Sequence, residues 1–221
     1  MRERPRFFRM IPIIDSYKNL TEKTKYGIKW AHKMKNSSHI LKIDDDSIAR
    51  VSDLSNWLLA FAQGYEYFYL GNQAARPVTT DGKWADREFL NVTGLKLYPK
   101  YANGASGYTI SRAIAEVLVE NFDDLESFAN EDASLGYWIE KYIGHRKVHY
   151  TDVRNRLFTT SGYNECSNAR HLVVGHKLTP VGLRRCWNHM MIAIAKYQNS
   201  ELIEDEKKRL ESYRMNGGNY I

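Results

Sequence analysis

Short apolar runs alternate with amphipathic stretches along most of this chain, and that alternation limits the folds open to it. "HILKI" (39–43), "YEYFYLG" (65–71), "RKVHYTD" (146–152) and the centre of "ARHLVVGHKL" (169–178) are apolar or aromatic and too short for buried helices. They read as strands. Between them lie helical patterns. Over 15–34, Tyr17, Leu20, Thr24, Ile28 and Ala31 recur at helical spacing behind Asp15 or Ser16 as cap. Ser52 is expected to cap a helix over 53–63 whose Leu54, Trp57, Leu58 and Phe61 share one face. Ser111 is expected to cap a third helix, a fourth is expected over 131–143, and Thr179 and Pro180 open a long fifth. Residues 72–97, rich in Gly, Asn, Thr and Pro, read as a loop. Helices alternating with strands predict an α/β fold, with a mainly parallel sheet flanked by helices.

That fold gives a reason for three adjacent carboxylates. Asp44, Asp45 and Asp46 directly follow the "HILKI" run. One reading is a solvated turn that caps the next element. The other is a divalent-cation site, because ligands of open α/β sheets bind beyond the carboxyl ends of the strands. Hard cations such as Mg²⁺ and Mn²⁺ prefer carboxylate oxygen and pair with phosphates. The net charge of +6 permits an anionic partner. Apart from "MRERPRFFR" the basic residues are dispersed, which argues against nucleic acid. No stretch of about eighteen apolar residues is present to span a membrane, and no apolar segment of signal-peptide type follows Met1.

Three further stretches carry chemistry. "NEDASLG" (130–136) puts Glu131 and Asp132 at a predicted helix start, either to complement the helix dipole or to serve as a general base. His176 ends an apolar run and is either a hydrogen-bonded, partly buried histidine or a metal ligand. "KYANGASGYTIS" (100–111) has glycines that permit either a tight turn or close approach of a sugar. The two cysteines, Cys166 and Cys186, could pair, although Cys186 reads as a small core residue beside Trp187.

"DSYKNLTEKT", "KIDDDSIARV", "YPKYANGASGYTIS", "NEDASLGYWI" and "ECSNARHLVVGHK" occur in that order over about residues 14–178. In this order they resemble the inverting β-1,3-galactosyltransferase family, of GT-A fold with a Rossmann-like sheet. The wording of "FYLGNQAARPVTTDGKW" and "NEDASLGYWI" is similar to the branch that adds the second galactose of the glycosaminoglycan linker.

The resemblance implies a role for each matching position. Asp46 and His176 would ligate Mn²⁺ at the diphosphate of a UDP-sugar, with Asp44 and Asp45 on the ribose or donor sugar. Asp132 would be the catalytic base, oriented by Glu131, and Tyr101, Gly104, Gly107 and Tyr108 would line the donor or acceptor pocket. Trp84 would be either a core residue or a surface on which an acceptor sugar stacks. The implied reaction moves a hexose, expected to be galactose, to the 3-hydroxyl of a glycan, glycoprotein or proteoglycan acceptor in the Golgi lumen. Two other readings stand beside it: a non-catalytic relative that binds a partner or glycan, and a phosphate-handling metal enzyme. The latter calls for a denser ligand set.

The sequence also departs from the family pattern. Ten residues precede "IPIIDSY", where the family has nucleotide-binding strands, so the sheet is expected to lack strands on that side. Ala105, Ser106 and Ala133 replace residues common in the family, and the family's membrane anchor is not in this chain. The expected organisation is a partial GT-A domain over 1–198 and a charged tail over 199–221.

Overall fold

The computed structural model describes residues 11–34, 37–153, 173–175 and 178–197. The tail over 199–221 lies outside these residues. The chain forms two compact units. One comprises residues up to 40 with 74–101 and 110–147; the other comprises 41–73, 102–109 and the residues from 148 on.

The second unit holds most of the strand residues. The order β1 (His39–Lys42), β6 (Tyr108–Ser111), β3 (Phe68–Gly71), β7 (His149–Asp152) makes a four-stranded sheet. All four residues of β3 are buried, as a continuous Phe-Tyr-Leu run between two neighbours requires. β3 pairs in parallel with β7, from Phe68 opposite His149 to Gly71 opposite Asp152. Helix α2 (Val51–Phe61) sets Leu54 against Phe68, Leu70 and Val153, with Trp57 and Leu58 partly buried beside them.

The expected Ser52 cap is not there. Arg50 occupies the N-cap without a side-chain cap bond, and Ser52 lies inside the helix. The reason is local: β2 (Ser47–Ala49) delivers the chain straight into α2, and an Arg50–Asp53 ion pair braces the first turn. β2 pairs antiparallel with β8 (Val173–Gly175), so the fold carries both strand senses. Helix α6 (Pro180–Tyr197) starts as expected, its first turn held by Thr179, whose Oγ1 accepts from Gly182 N at 3.1 Å. Cys186 and Met190 on α6 are buried against Ile48 and Leu178.

The first unit is mainly helical. A 3₁₀ turn (Tyr17–Asn19) leads into α1 (Leu20–His32), which packs beside α4 (Arg112–Glu120) and α5 (Glu131–Tyr142). Polar side chains on the buried face of α1 reach backbone carbonyls: Thr21 Oγ1 donates to Phe128 O at 2.7 Å and Lys25 Nζ to Leu125 O at 2.9 Å. Ser111 caps α4 as expected, its Oγ accepting from Ile114 N. Phe89, Tyr98, Tyr101, Phe128 and Ala133 form an aromatic core, and Trp138 is fully buried with its indole N–H on Glu126 O.

The expected loop over 72–97 contains structure. A short strand, β4 (Gln73–Ala74), pairs with β5 (Tyr101–Ala102), and helix α3 (Arg87–Thr93) follows. Asp86 caps α3, and Gly94 ends it in the left-handed region at φ 68°. No helix among the described residues is long and apolar enough to cross a membrane.

Candidate functional site

In the second unit the three aspartates form the turn that joins β1 to β2, closed by Ser47 N donating to Asp44 O at 3.1 Å. The turn reading and the site reading therefore share one geometry. Asp45 is exposed, whereas Asp44 and Asp46 are half-buried. Lys42 Nζ lies 2.7 Å from Asp44 Oδ1 and offsets part of the repulsion among three adjacent carboxylates. The same ammonium sits 5.7 Å from the centre of the Tyr108 ring. Lys42 thus ties the aspartate turn to the glycine segment. Sequence reasoning missed that link, although a lysine two residues ahead of an acidic triple was a readable signal.

Gly104 and Gly107 flank a 3₁₀ turn capped by Asn103, whose side chain accepts from Ala105 N at 3.1 Å. Gly107 has φ 71°, a conformation that L side chains rarely adopt, and its N–H closes the turn on Gly104 O at 2.8 Å. A Cβ on Gly71 would fall 2.5 Å from Ala102 Cβ, so β3 touches this segment with no room to spare. Ser47 and Ile48 also line a surface hollow with Leu183, Arg184, Trp187 and Asn188 of α6.

β8 ends at Gly175, which faces Ser47 across the antiparallel pair. Ser47 directly follows Asp46, and Gly175 directly precedes His176. His176 itself lies outside the described residues. Among the described residues no three His, Cys, Asp or Glu side chains gather as a metal cluster. Cys186 is fully buried, in line with the core-residue reading, and is also disulfide-bonded; Cys166 lies outside the described residues.

In the first unit, Asn130 caps α5 by accepting from Ala133 N at 3.2 Å, and this puts Glu131 and Asp132 in the first helical turn. Carboxylates there complement the positive end of the helix dipole. Glu131 is buried and Asp132 half-buried. Tyr101 belongs with them. Burial raises its hydroxyl pKa above the usual tyrosine value; nearby Arg76 opposes that rise, and the charges of Asp132 and Glu131 add to it. Tyr101 is therefore a neutral hydroxyl within electrostatic reach of both acids.

Gly136 makes this proximity possible. A Cβ there would meet Lys100 O and Tyr101 Cβ, each at 2.7 Å, so only a glycine lets α5 lie against the Tyr101 strand. Asp86 was not anticipated. It is buried and accepts from Phe89 N at 3.3 Å, Tyr98 Oη at 3.1 Å and Ala129 N at 3.4 Å, just ahead of the α5 cap. Its sequence signal was the Asp-Arg-Glu-Phe start of α3 followed by Gly94. Trp84 is 52% exposed, which rules out the core reading.

Comparison with known proteins matches residues 10–151 to a family described as galactosyltransferase. The UDP-GalNAc:beta-1,3-N-acetylgalactosaminyltransferase 2 of Homo sapiens is 28% identical over 130 residues, which is 58% of this chain and 25% of that protein. The hydroxyproline O-galactosyltransferase GALT5 of Arabidopsis thaliana is 31% identical over 60% of this chain and 20% of its own length. The beta-1,3-galactosyltransferase 4 of Canis lupus familiaris is 24% identical over 78% of this chain and 53% of its own. The chain spans about a quarter of the length of the N-acetylgalactosaminyltransferases it matches.

Proposed function

The chain belongs to the galactosyltransferase family, and from that membership we propose that it is an inverting glycosyltransferase of GT-A type. It transfers a hexose from a UDP-sugar to the 3-hydroxyl of a glycan on a glycoprotein or proteoglycan, in β-1,3 linkage. The proposed donor is UDP-galactose. UDP-N-acetylgalactosamine is the natural alternative, because several relatives carry that donor in their names. The proposed acceptor follows the resemblance to the linker enzyme, a galactose-terminated glycan. The proposed compartment is the Golgi lumen, and the disulfide at Cys186 suits an oxidising compartment.

The observation that carries this reading is the β2–β8 register. It opposes Ser47 and Gly175, the sequence neighbours of the two proposed metal ligands Asp46 and His176. The half-buried carboxylates of the aspartate turn are hard oxygen donors, which fit Mn²⁺. When bound, the ion would supply Lewis-acid neutralisation of the departing diphosphate.

The chain's own residues do the remainder. Asp44 and Asp45 hold the ribose or donor sugar, and Lys42 keeps Asp44 oriented. Gly104 and Gly107 let the sugar approach the backbone. Asp132 accepts the proton of the acceptor hydroxyl as that oxygen attacks the anomeric carbon and the bond to UDP breaks on the opposite face. Glu131 orients Asp132, and Tyr101 offers a neutral hydroxyl at the same end of α5.

The test is a thermal-shift titration with UDP, with and without Mn²⁺. A folded-state ligand at a hundredfold excess over Kd adds about 2.7 kcal/mol of stability. The expected result is a shift that needs both components and disappears in Asp46→Asn. Asp132→Asn should keep the shift and lose transfer. No shift in a well-folded chain would favour the non-catalytic, glycan- or partner-binding reading.

A further inference from the structure

We infer that the outward face of α6 is a docking surface for an anionic lipid bilayer. The helix lies along the interface, with Trp187, Met191 and Ile192 toward the acyl chains and Arg184 and Arg185 toward the phosphates. The pattern begins in the sequence. Positions 181, 184, 188, 191 and 192 recur every third or fourth residue, with Trp187 four ahead of Met191. They therefore share one side of a helix.

That side is not the packed one. Cys186 and Met190 carry the packed side, against Ile48 and Leu178. Val181 is 58% exposed, Trp187 50%, Met191 45% and Ile192 55%. Exposed apolar side chains scattered singly are ordinary, but four of them along one helix make a patch. Charge completes it. Arg184 and Arg185 are both exposed, and α6 has no Asp or Glu among its 18 residues.

The face thus calls for a partner that is anionic and also offers an apolar phase. A second copy of this chain meets the apolar need only, because α6 has no carboxylate to set against its own arginines. A soluble polyanion meets the charge and leaves four apolar side chains in water. A bilayer interface meets both, with the indole at headgroup level and the guanidinium groups on anionic lipid. No described helix is long and apolar enough to cross a membrane, so α6 lies on the surface. Arg184 and Trp187 line the open hollow that α6 shares with Ser47 and Ile48, which puts the end of the aspartate turn beside the docked face. The inference stands apart from the glycosyltransferase reading.

Co-sedimentation of the full chain with phosphatidylcholine vesicles, with and without about 30% phosphatidylserine, tests it. The expected result is binding to the phosphatidylserine vesicles that weakens as salt rises, with brominated acyl chains quenching tryptophan emission. Trp187→Phe should keep the binding and lose most of the quenching. Trp187→Ala should weaken binding about tenfold, and Arg184→Gln about fivefold. Circular dichroism checks the fold of each variant. If Trp187→Ala unfolds, a Met191→Ser, Ile192→Ser double variant decides the matter by the same loss.

Absence of binding to phosphatidylserine vesicles overturns the inference. So does binding that the Trp187→Ala and double variants leave unchanged, which marks the attraction of a basic chain to any polyanion. Quenching that persists in Trp187→Phe overturns it too, since another tryptophan then enters the bilayer. A dimer in sedimentation velocity that Trp187→Ala abolishes, in a chain that vesicles do not bind, assigns the face to a second copy instead.

Discussion

Lys42 and His39 show how single side chains set the behaviour of the strand that leads to the aspartates. Lys42 and Asp44 form a partly buried pair, with side chains 18% and 30% exposed. Lys42→Met should destabilise the chain by about 1 kcal/mol in chelator-treated buffer, measured by urea unfolding. A neutral result would mean that solvent already screens the turn. His39 behaves differently. Burial lowers its pKa below 6.5, so the unfolded chain takes up a proton there before the folded chain does. Stability from this group is complete above pH 6.5 and declines as pH falls toward the folded pKa. His39→Gln should flatten that decline in unfolding titrations run between about pH 7.5 and 5. An unchanged slope would assign the loss to other groups.

Elements here are placed by close approach and by caps. Gly136→Ala forces a methyl to within 2.7 Å of Lys100 O, and the clash is with backbone rather than a movable side chain. The expected cost is about 1–3 kcal/mol, with Tyr101 displaced from the start of α5, visible as altered near-ultraviolet tyrosine dichroism. A variant as stable as the parent would show that α5 can shift. Asp86→Ala removes an acceptor from three donors at once and should cost about 2 kcal/mol. Here the effect should extend past α3 to the Ala129 amide, read as faster hydrogen exchange at the α5 N-terminus.

At the scale of the molecule, Cys186 is disulfide-bonded and packs, on the buried face of α6, against Ile48 of β2, the strand that carries the end of the aspartate turn. Reduction, or Cys186→Ser, should lower stability by about 2–4 kcal/mol. It should also weaken the UDP and Mn²⁺ shift, because Ile48, two residues past Asp46, packs against Cys186. A reduced chain with full ligand response would separate the crosslink from the site.

What was legible in the sequence was local. Periodicity located α1 and α2, since a helix that buries one face must repeat its apolar residues every third or fourth position, and cap and start residues located α4, α5 and α6. The strands showed as short apolar runs, and the order of motifs pointed to the family later matched over 10–151. The aspartate turn and the acidic start of α5 were visible because turn and cap chemistry act over a few residues. Contacts far apart in the chain decided the rest. Helix α3 was hidden in a loop-like composition, because seven residues hold as a helix only with Asp86 and Gly94 at their ends and the aromatic core beneath Phe89. The Ser52 cap failed because strand β2, fixed by its pairing with β8, ran directly into α2. The exposure of Trp84, the link from Lys42 to Tyr108 and the grouping of Tyr101 with Glu131 and Asp132 join positions that sequence spacing leaves unrelated. Each is set by packing, and packing is a property of the folded chain rather than of any segment of it.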